Sequence, residues 1–138
     1  MKRQAYGYAA ELLRSHGIRA TKARTAIASL LERCTRPLSA DEIYAKVAHT
    51  VDRATVYRTL AALEEAGCVS RFTFQNCNVY ELKTTHSHYL ICRNCKDVER
   101  ISVCTLSGLE QTSLKSSKRF ASVDHHTLQL SGICRECV

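Results

Sequence analysis

Apolar positions recur with helical spacing through the first half of the chain and with a period of two after Gly67. From Tyr6 to His16, Tyr8, Ala9, Leu12 and Leu13 share one helical face, and Gly17 closes the run. Thr21 opens TKARTAIASLLERC, which places Ile27, Leu30, Leu31 and Cys34 together; Pro37 follows where that helix has already ended. In LSADEIYAKVAHT, Ser39 stands three residues before Glu42, the spacing of a capping box, ahead of Ile43, Tyr44 and Val47. Asp52 is placed to cap RATVYRTLAALEEAG, whose apolar line is Val56, Leu60 and Leu63, with Gly67 at the left-handed position that ends a helix. CVSRFTF and NVYELK then alternate as strands around a polar turn, Gln75–Asn76–Cys77. Short helices followed by a two-stranded hairpin predict a winged helix-turn-helix over residues 1–83.

Residues 84–138 predict a second, small α+β unit, making the whole chain α+β. HYLICRNCKDVERISV reads as strand, CxxC knuckle and strand. Thr105 to Lys118 reads as a helix carrying Leu106, Leu109 and Leu114. SVDHHTLQLSGIC alternates again, in the manner of an antiparallel strand, and ends in CREC. Two units this small would each bury a modest core, so a metal staple would be welcome.

Charge divides the two halves. The chain has a net charge of +7, of which residues 1–85 hold +5 and the remainder +2. That points to an anionic partner and places any nucleic-acid surface in the amino half. No apolar run approaches the ~20 residues that span a bilayer. Glu11 interrupts the basic amino terminus, which therefore does not read as a signal peptide. The expectation is a cytoplasmic protein with no membrane association, in which eight cysteines stay reduced and serve metal or redox chemistry.

Cys92, Cys95, Cys134 and Cys137 form two CxxC pairs separated by 38 residues. Each CxxC turn sets two thiolates about one tetrahedral edge apart, and Zn²⁺ is satisfied by four ligands at ~2.3 Å. The alternative, a pair of redox dithiols, needs a strand leading into a helix at each pair, and neither CRNC nor CREC has that context. Cys34, Cys68, Cys77 and Cys104 lack partners at ligand spacing and read as small buried hydrophobes.

His86 and His88 alternate on a strand and so point to one face. His125 and His126 lie on another predicted strand with their side chains opposed, so at most one of them readily joins. With Glu110 on the intervening helix, these imidazoles suit Fe²⁺, Zn²⁺ or Mn²⁺, and ligand softness does not choose among the three. In DRATVYRTL, Arg53, Thr55, Tyr57 and Arg58 surround a helix whose Val56 and Leu60 face inward. Such a helix fits a major groove, with arginine meeting guanine or phosphate and threonine meeting a thymine methyl. Arg19, Lys22 and Arg24 are candidates for phosphate contacts nearby.

GIRATKART, LSADEIY, DRATVYRTLAALEEAGCVSRF, VYEL, HSHYLICRNC, LSGLE and HHTLQLSGICREC together resemble the ferric uptake regulator family of metal-dependent bacterial repressors, over nearly the whole chain. The resemblance implies an amino-terminal winged helix, a carboxyl-terminal α+β dimerisation domain, and a homodimer that grips a palindromic operator in double-stranded DNA when its sensing metal is bound. Tyr57 and Arg58 match the family's DNA-contacting pair, and Thr21 and Arg24 its T-x-x-R helix start. Cys92, Cys95, Cys134 and Cys137 match its structural zinc ligands. His86, His88, Glu110 and His126 match one of its regulatory metal sites.

The chain departs from the family at the hinge between domains. Arg36–Pro37–Leu38 stands where the family has a histidine, Arg100 where it has a carboxylate, and Tyr89 where it has a histidine three before Cys92. Anchored on Cys92, only Glu81 remains of that set; anchored on Glu81, His86 and His88 would serve the hinge beside it. The wing carries Asn76–Cys77–Asn78 in place of the usual glycines.

The expected function is a repressor of metal-homeostasis genes responding to ferrous iron, with zinc response as the alternative. Cys68 or Cys77 would then supply the softer ligand. Peroxide sensing fits less well, because the oxidisable hinge ligands are depleted. A zinc-ribbon interaction module is a remote alternative of another class. Enzymatic zinc chemistry needs an open position and a general base. The four best ligands here are all cysteines, and the chain has neither H-x-E with P-C-x-x-C nor H-E-x-x-H.

Overall fold

The computed structural model describes residues 3–83, 88–101, 104–124 and 126–138, with backbone alone for residues 3–7. The chain divides into two compact units, Met1–Thr84 and Thr85–Val138.

The first unit runs α1 (Arg3–Ser15), α2 (Lys22–Arg33), β1 (Leu38–Ser39), α3 (Ala40–Val47), α4 (Arg53–Glu65), β2 (Val69–Phe74) and β3 (Cys77–Leu82). The starts of α2, α3 and α4 are fixed by side chains that satisfy otherwise orphaned backbone donors. Thr21 Oγ1 accepts from Arg24 N–H (3.3 Å), Ser39 Oγ from Glu42 N–H (3.1 Å) and Asp52 Oδ1 from Thr55 N–H (2.7 Å). Gly67 ends α4 at φ +82°, a conformation that side chains disfavour. β2 and β3 pair antiparallel from Val69–Leu82 to Phe74–Cys77. The connecting turn is only Gln75–Asn76, at φ 50° and 62°. Two positive φ values match the twist of a tight hairpin, so Cys77 belongs to the strand and not to the turn. Sequence reading also missed β1, whose two residues pair with the free edge of β3 (Leu38–Tyr80, Ser39–Val79). The sheet order is β1-β3-β2, the wing of a winged helix.

One apolar core holds this unit together. Leu13 from α1, Ile27 and Leu31 from α2, Ile43 from α3, Val56, Leu60 and Leu63 from α4, and Val69 and Leu82 from the wing are all buried in it. Each such side chain contributes about 1.5–3 kcal/mol by leaving water. Cys68 is buried among them, as expected of a small hydrophobe, whereas Cys77 is exposed, against that expectation.

The second unit comprises β4 (His88–Cys92), β5 (Val98–Ile101), α5 (Leu109–Ser116) and β6 (Gln129–Gly132). Its sheet order is β5-β4-β6. β5 runs antiparallel to β4, but β6 runs parallel, contrary to the antiparallel expectation. The α5 crossover delivers the chain back to the same end of the sheet. That helix starts at Leu109, not Thr105, because Gly108 stands in the left-handed region at φ +79° just before it. β6 begins only at Gln129, so His126 reaches its place from irregular chain and not from a strand. Among the described residues the buried side chains of this unit are His88, Tyr89, Cys92 and Val98, and α5 buries none. Hydrophobic burial on that scale does not hold 54 residues together by itself.

Candidate metal centres and nucleic-acid interface

The turns at the end of β4 and after β6 bring the two CxxC pairs together. The sulfurs of Cys92, Cys95, Cys134 and Cys137 all lie within 4.8 Å of one another, and Cys95 Sγ is 3.7 Å from Cys134 Sγ. Four thiolates at ~2.3 Å from one zinc ion stand about 3.8 Å apart, so the arrangement fits a tetrahedral ion. Backbone donors are already aimed at the sulfurs. The Cys134 N–H donates to Cys92 Sγ (3.4 Å) and, with the amides of Cys95 and Asn94, lowers that thiol to about 6. The Asp97 amide favours the Cys95 thiolate, but the crowding of neighbouring sulfurs and burial overcome it and push that thiol up to about 12. Cys134 is raised as well, chiefly by Cys137. The four sulfurs thus do not all ionise at neutral pH by themselves, and an entering cation would displace their remaining protons.

A second group gathers in the same unit. One ligand atom each of His88, Cys104 and His126 lies within 4.8 Å of the others. Cys104 Sγ is 3.3 Å from His126 Nε2, while His126 Nδ1 is 2.6 Å from Glu110 Oε1 on the first turn of α5. The His88 and His126 rings stack with centroids 5.1 Å apart and planes within 16°. Leu128 N–H donates to His88 Nδ1 (3.0 Å), so a cation taken at this ring would displace either that bond or the proton on the other nitrogen. The Leu106 amide, followed by His126, draws the Cys104 thiol down; Cys104 and then Glu110 hold the His126 imidazole above its ordinary value. Thiol, imidazole and carboxylate thus stand in one row, in which each group favours the opposite charge on its neighbour.

Of the residues expected at a regulatory site, the geometry gathers His88, His126 and Glu110, the last through His126. His86 and His125 lie outside the described residues. Glu81 sits on β3 opposite Ser70 in the other unit. The residue that sequence reading missed is Cys104, read there as a buried hydrophobe. Its signal was its position just ahead of the Gly108 break and the helix bearing Glu110, which turns the chain back toward His126.

On α4, Val56, Thr59, Leu60 and Leu63 face the core, while Arg53, Tyr57 and Arg58 stand on the exposed side, Tyr57 with 48% of its surface open. Thr55 is half-buried and its hydroxyl accepts from Arg58 Nη2 (3.2 Å). Asp41 on α3 steadies this face. Its Oδ1 accepts from Arg53 Nη1 (2.7 Å) and from the Tyr57 hydroxyl (3.4 Å), and the Arg53 guanidinium lies 4.4 Å from the Tyr44 ring centre. At the start of α2, Arg19 and Lys22 are exposed, and Arg24 Nη1 donates to the Arg19 carbonyl (3.1 Å). The expected DNA-contacting residues therefore lie on the opening turns of α2 and α4 and the loop ahead of α2, within one unit whose α2 and α4 pack together.

The profile of the ferric uptake regulator family matches residues 15–131. The chain is 30% identical to the peroxide operon regulator of Bacillus subtilis (strain 168) over 133 residues, 94% of this chain and 90% of that protein. It is 32% identical to the peroxide-responsive repressor PerR of Staphylococcus aureus (strain Mu50 / ATCC 700699) over 130 residues, 91% and 86% of the two chains. The crystal structure of the Vibrio cholerae ferric uptake regulator superposes with a TM-score of 0.65 at 30% identity, covering 91% of this chain and 98% of that one. By a profile that spans most of its length, and by relatives alike over nearly all of theirs, the chain belongs to the ferric uptake regulator family.

Proposed function

We propose that the protein is a metal-responsive, DNA-binding transcriptional repressor, acting in the cytoplasm as a homodimer on a palindromic operator. The observation that carries this reading is a division of labour. The winged unit turns Arg53, Tyr57 and Arg58 outward on a capped helix, while the other unit gathers two separate sets of metal-ligand atoms. In the groove, Arg53, Thr55, Tyr57 and Arg58 read bases and phosphate, and Arg19, Lys22 and Arg24 hold the backbone. Cys92, Cys95, Cys134 and Cys137 hold a structural zinc that replaces a missing core. His88 and His126, with Glu110 orienting His126 and with His86 as a further candidate, hold the regulatory ion. When bound, that ion supplies a cross-link and the binding energy that favours the DNA-competent dimer.

Dimerisation through residues 85–138 is supported by an open groove of about 510 Å³ whose lining includes Leu90, Ile91, Leu130 and Ile133. Leu90 and Leu130 on this poorly buried sheet and Ile133 just beyond it remain exposed, and a second copy would cover them. Among the described residues no helix is long and apolar enough to cross a membrane. Imidazole and carboxylate donors suit ferrous iron, manganese or zinc, and ferrous iron is the effector proposed for a site built of them alone. The two bacterial relatives are peroxide regulators by name, but Arg36–Pro37–Leu38, Tyr89 and Arg100 stand where this family has the hinge ligands on which such a response would rest.

The test is fluorescence anisotropy of the zinc-loaded protein on DNA from upstream of its own gene, titrated without oxygen with Fe²⁺, Mn²⁺ or further Zn²⁺. One metal is expected to tighten binding by roughly 5–150-fold, the range of an allosteric coupling of ~1–3 kcal/mol. Equal affinity with every metal and with none would remove the metal response. Absence of DNA binding under all conditions would favour a zinc-ribbon interaction module.

A further inference from the structure

We propose that Cys104 is a ligand of the regulatory ion, and that its sulfur makes the site select zinc over ferrous iron and manganese. The inference rests on reading the His88–His126 group as the effector site, and it replaces the all-nitrogen-and-oxygen donor set with one that contains sulfur. The sequence offered Cys68 and Cys77 as soft donors for a zinc sensor. Cys68 is packed in the apolar core of the winged unit, and Cys77 sits exposed on the wing strand. Cys104 instead comes within 4.8 Å of ligand atoms of both His88 and His126.

Its placement has the features of a ligand. Glu110 Oε1 occupies the Nδ1 side of His126 at 2.6 Å, which turns Nε2 toward Cys104 Sγ at 3.3 Å. A carboxylate behind an imidazole fixes its orientation and strengthens it as a donor, so Glu110 is assigned as a positioning residue and not as a ligand. The three donors come from separate elements: β4 (His88), the segment ahead of Gly108 (Cys104) and the segment ahead of β6 (His126). No element spans all three, so a shared cation would join parts of the unit that otherwise share little buried surface. One thiolate and two imidazoles form a mixed sulfur and nitrogen set of the kind that tetrahedral zinc accepts. Manganese favours carboxylate, carbonyl and water oxygens, and at such a site both manganese and ferrous iron stand below zinc in the usual order of affinities.

The experiment uses the full-length dimer with its four-cysteine site filled by zinc and one added equivalent of Co²⁺. The intact protein should develop a thiolate-to-cobalt charge-transfer band that Zn²⁺ abolishes by competition and Mn²⁺ does not. Cys104→Ser should lose that band and weaken zinc at this site by at least the ~10–100-fold that loss of an outer-shell partner costs. Cys104→Asp keeps an anionic donor but a hard one; it should bind Mn²⁺ and Fe²⁺ more tightly than the unaltered protein, relative to zinc. Zinc should also shield Cys104 from alkylation by iodoacetamide, as read by mass spectrometry. A charge-transfer band and zinc affinity that persist in both variants would overturn the assignment. A spectrum as predicted beside DNA binding indifferent to metal would leave this site standing and remove the regulatory reading alone.

Discussion

Stripping the metal from Cys92, Cys95, Cys134 and Cys137 is expected to unfold residues 85–138 and leave the winged unit intact. The reason is the asymmetry of burial. The first unit has an apolar core to which every one of its helices and its wing contribute, whereas among the described residues the second buries His88, Tyr89, Cys92 and Val98 and nothing from its helix. A hydrophobic core in so small a unit rarely supplies more than ~3–5 kcal/mol, while a structural zinc supplies an apparent ~10–16 kcal/mol at neutral pH. Cys137→Ser, or prolonged chelation, should collapse the dispersed amide resonances of the second unit and convert the dimer to monomer. The resonances of α2 to β3 should stay where they are. Cys77→Ser, on the exposed wing strand, serves as the thiol control and should change neither. Retention of a dispersed second unit in Cys137→Ser would mean that something other than the four-cysteine cluster holds it.

Truncation of the exposed face of α4 should have the next largest effect, on binding and not on folding. Arg58→Ala and Tyr57→Ala remove side chains that stand outside the core, so thermal stability should change by no more than ~0.5 kcal/mol. If Arg58 reads a base edge, its loss costs about 1–3 kcal/mol per half-site, and a symmetric dimer counts it twice. If it meets only phosphate, affinity should fall alike on every sequence and the salt slope should drop by about one per site. Asp41→Asn gives a companion measurement, since Asp41 Oδ1 accepts from both Arg53 and Tyr57. Unaltered operator affinity in Arg58→Ala and Tyr57→Ala together would remove α4 as the reading helix.

Much of this was legible without coordinates, and the reasons are physical. Caps are local: Thr21, Ser39 and Asp52 lie next to the backbone donors they satisfy, so their positions could be read from the chain. The CxxC pairs are legible because metal chemistry constrains spacing directly. What was missed depends on contacts distant in sequence. β1 is two residues long and exists through pairing with β3. The parallel β4–β6 pairing and the late start of β6 depend on the path of the intervening chain, which no periodicity records. Cys104 looked inert for the same reason, since His126, its partner at 3.3 Å, is 22 residues away. Its Cys-then-Gly108-then-Glu110 context marks a turn back into the unit, but only the fold gives that turn a destination.

Linkage between one ion and one DNA site through this chain requires that each strengthen the binding of the other equally. The most direct measurement is calorimetric: titrate the regulatory metal into the zinc-loaded dimer, alone and saturated with operator DNA. DNA is expected to tighten metal binding by the same factor by which metal tightens DNA binding. Metal affinity unchanged by operator, in a protein that still binds both, would contradict that linkage.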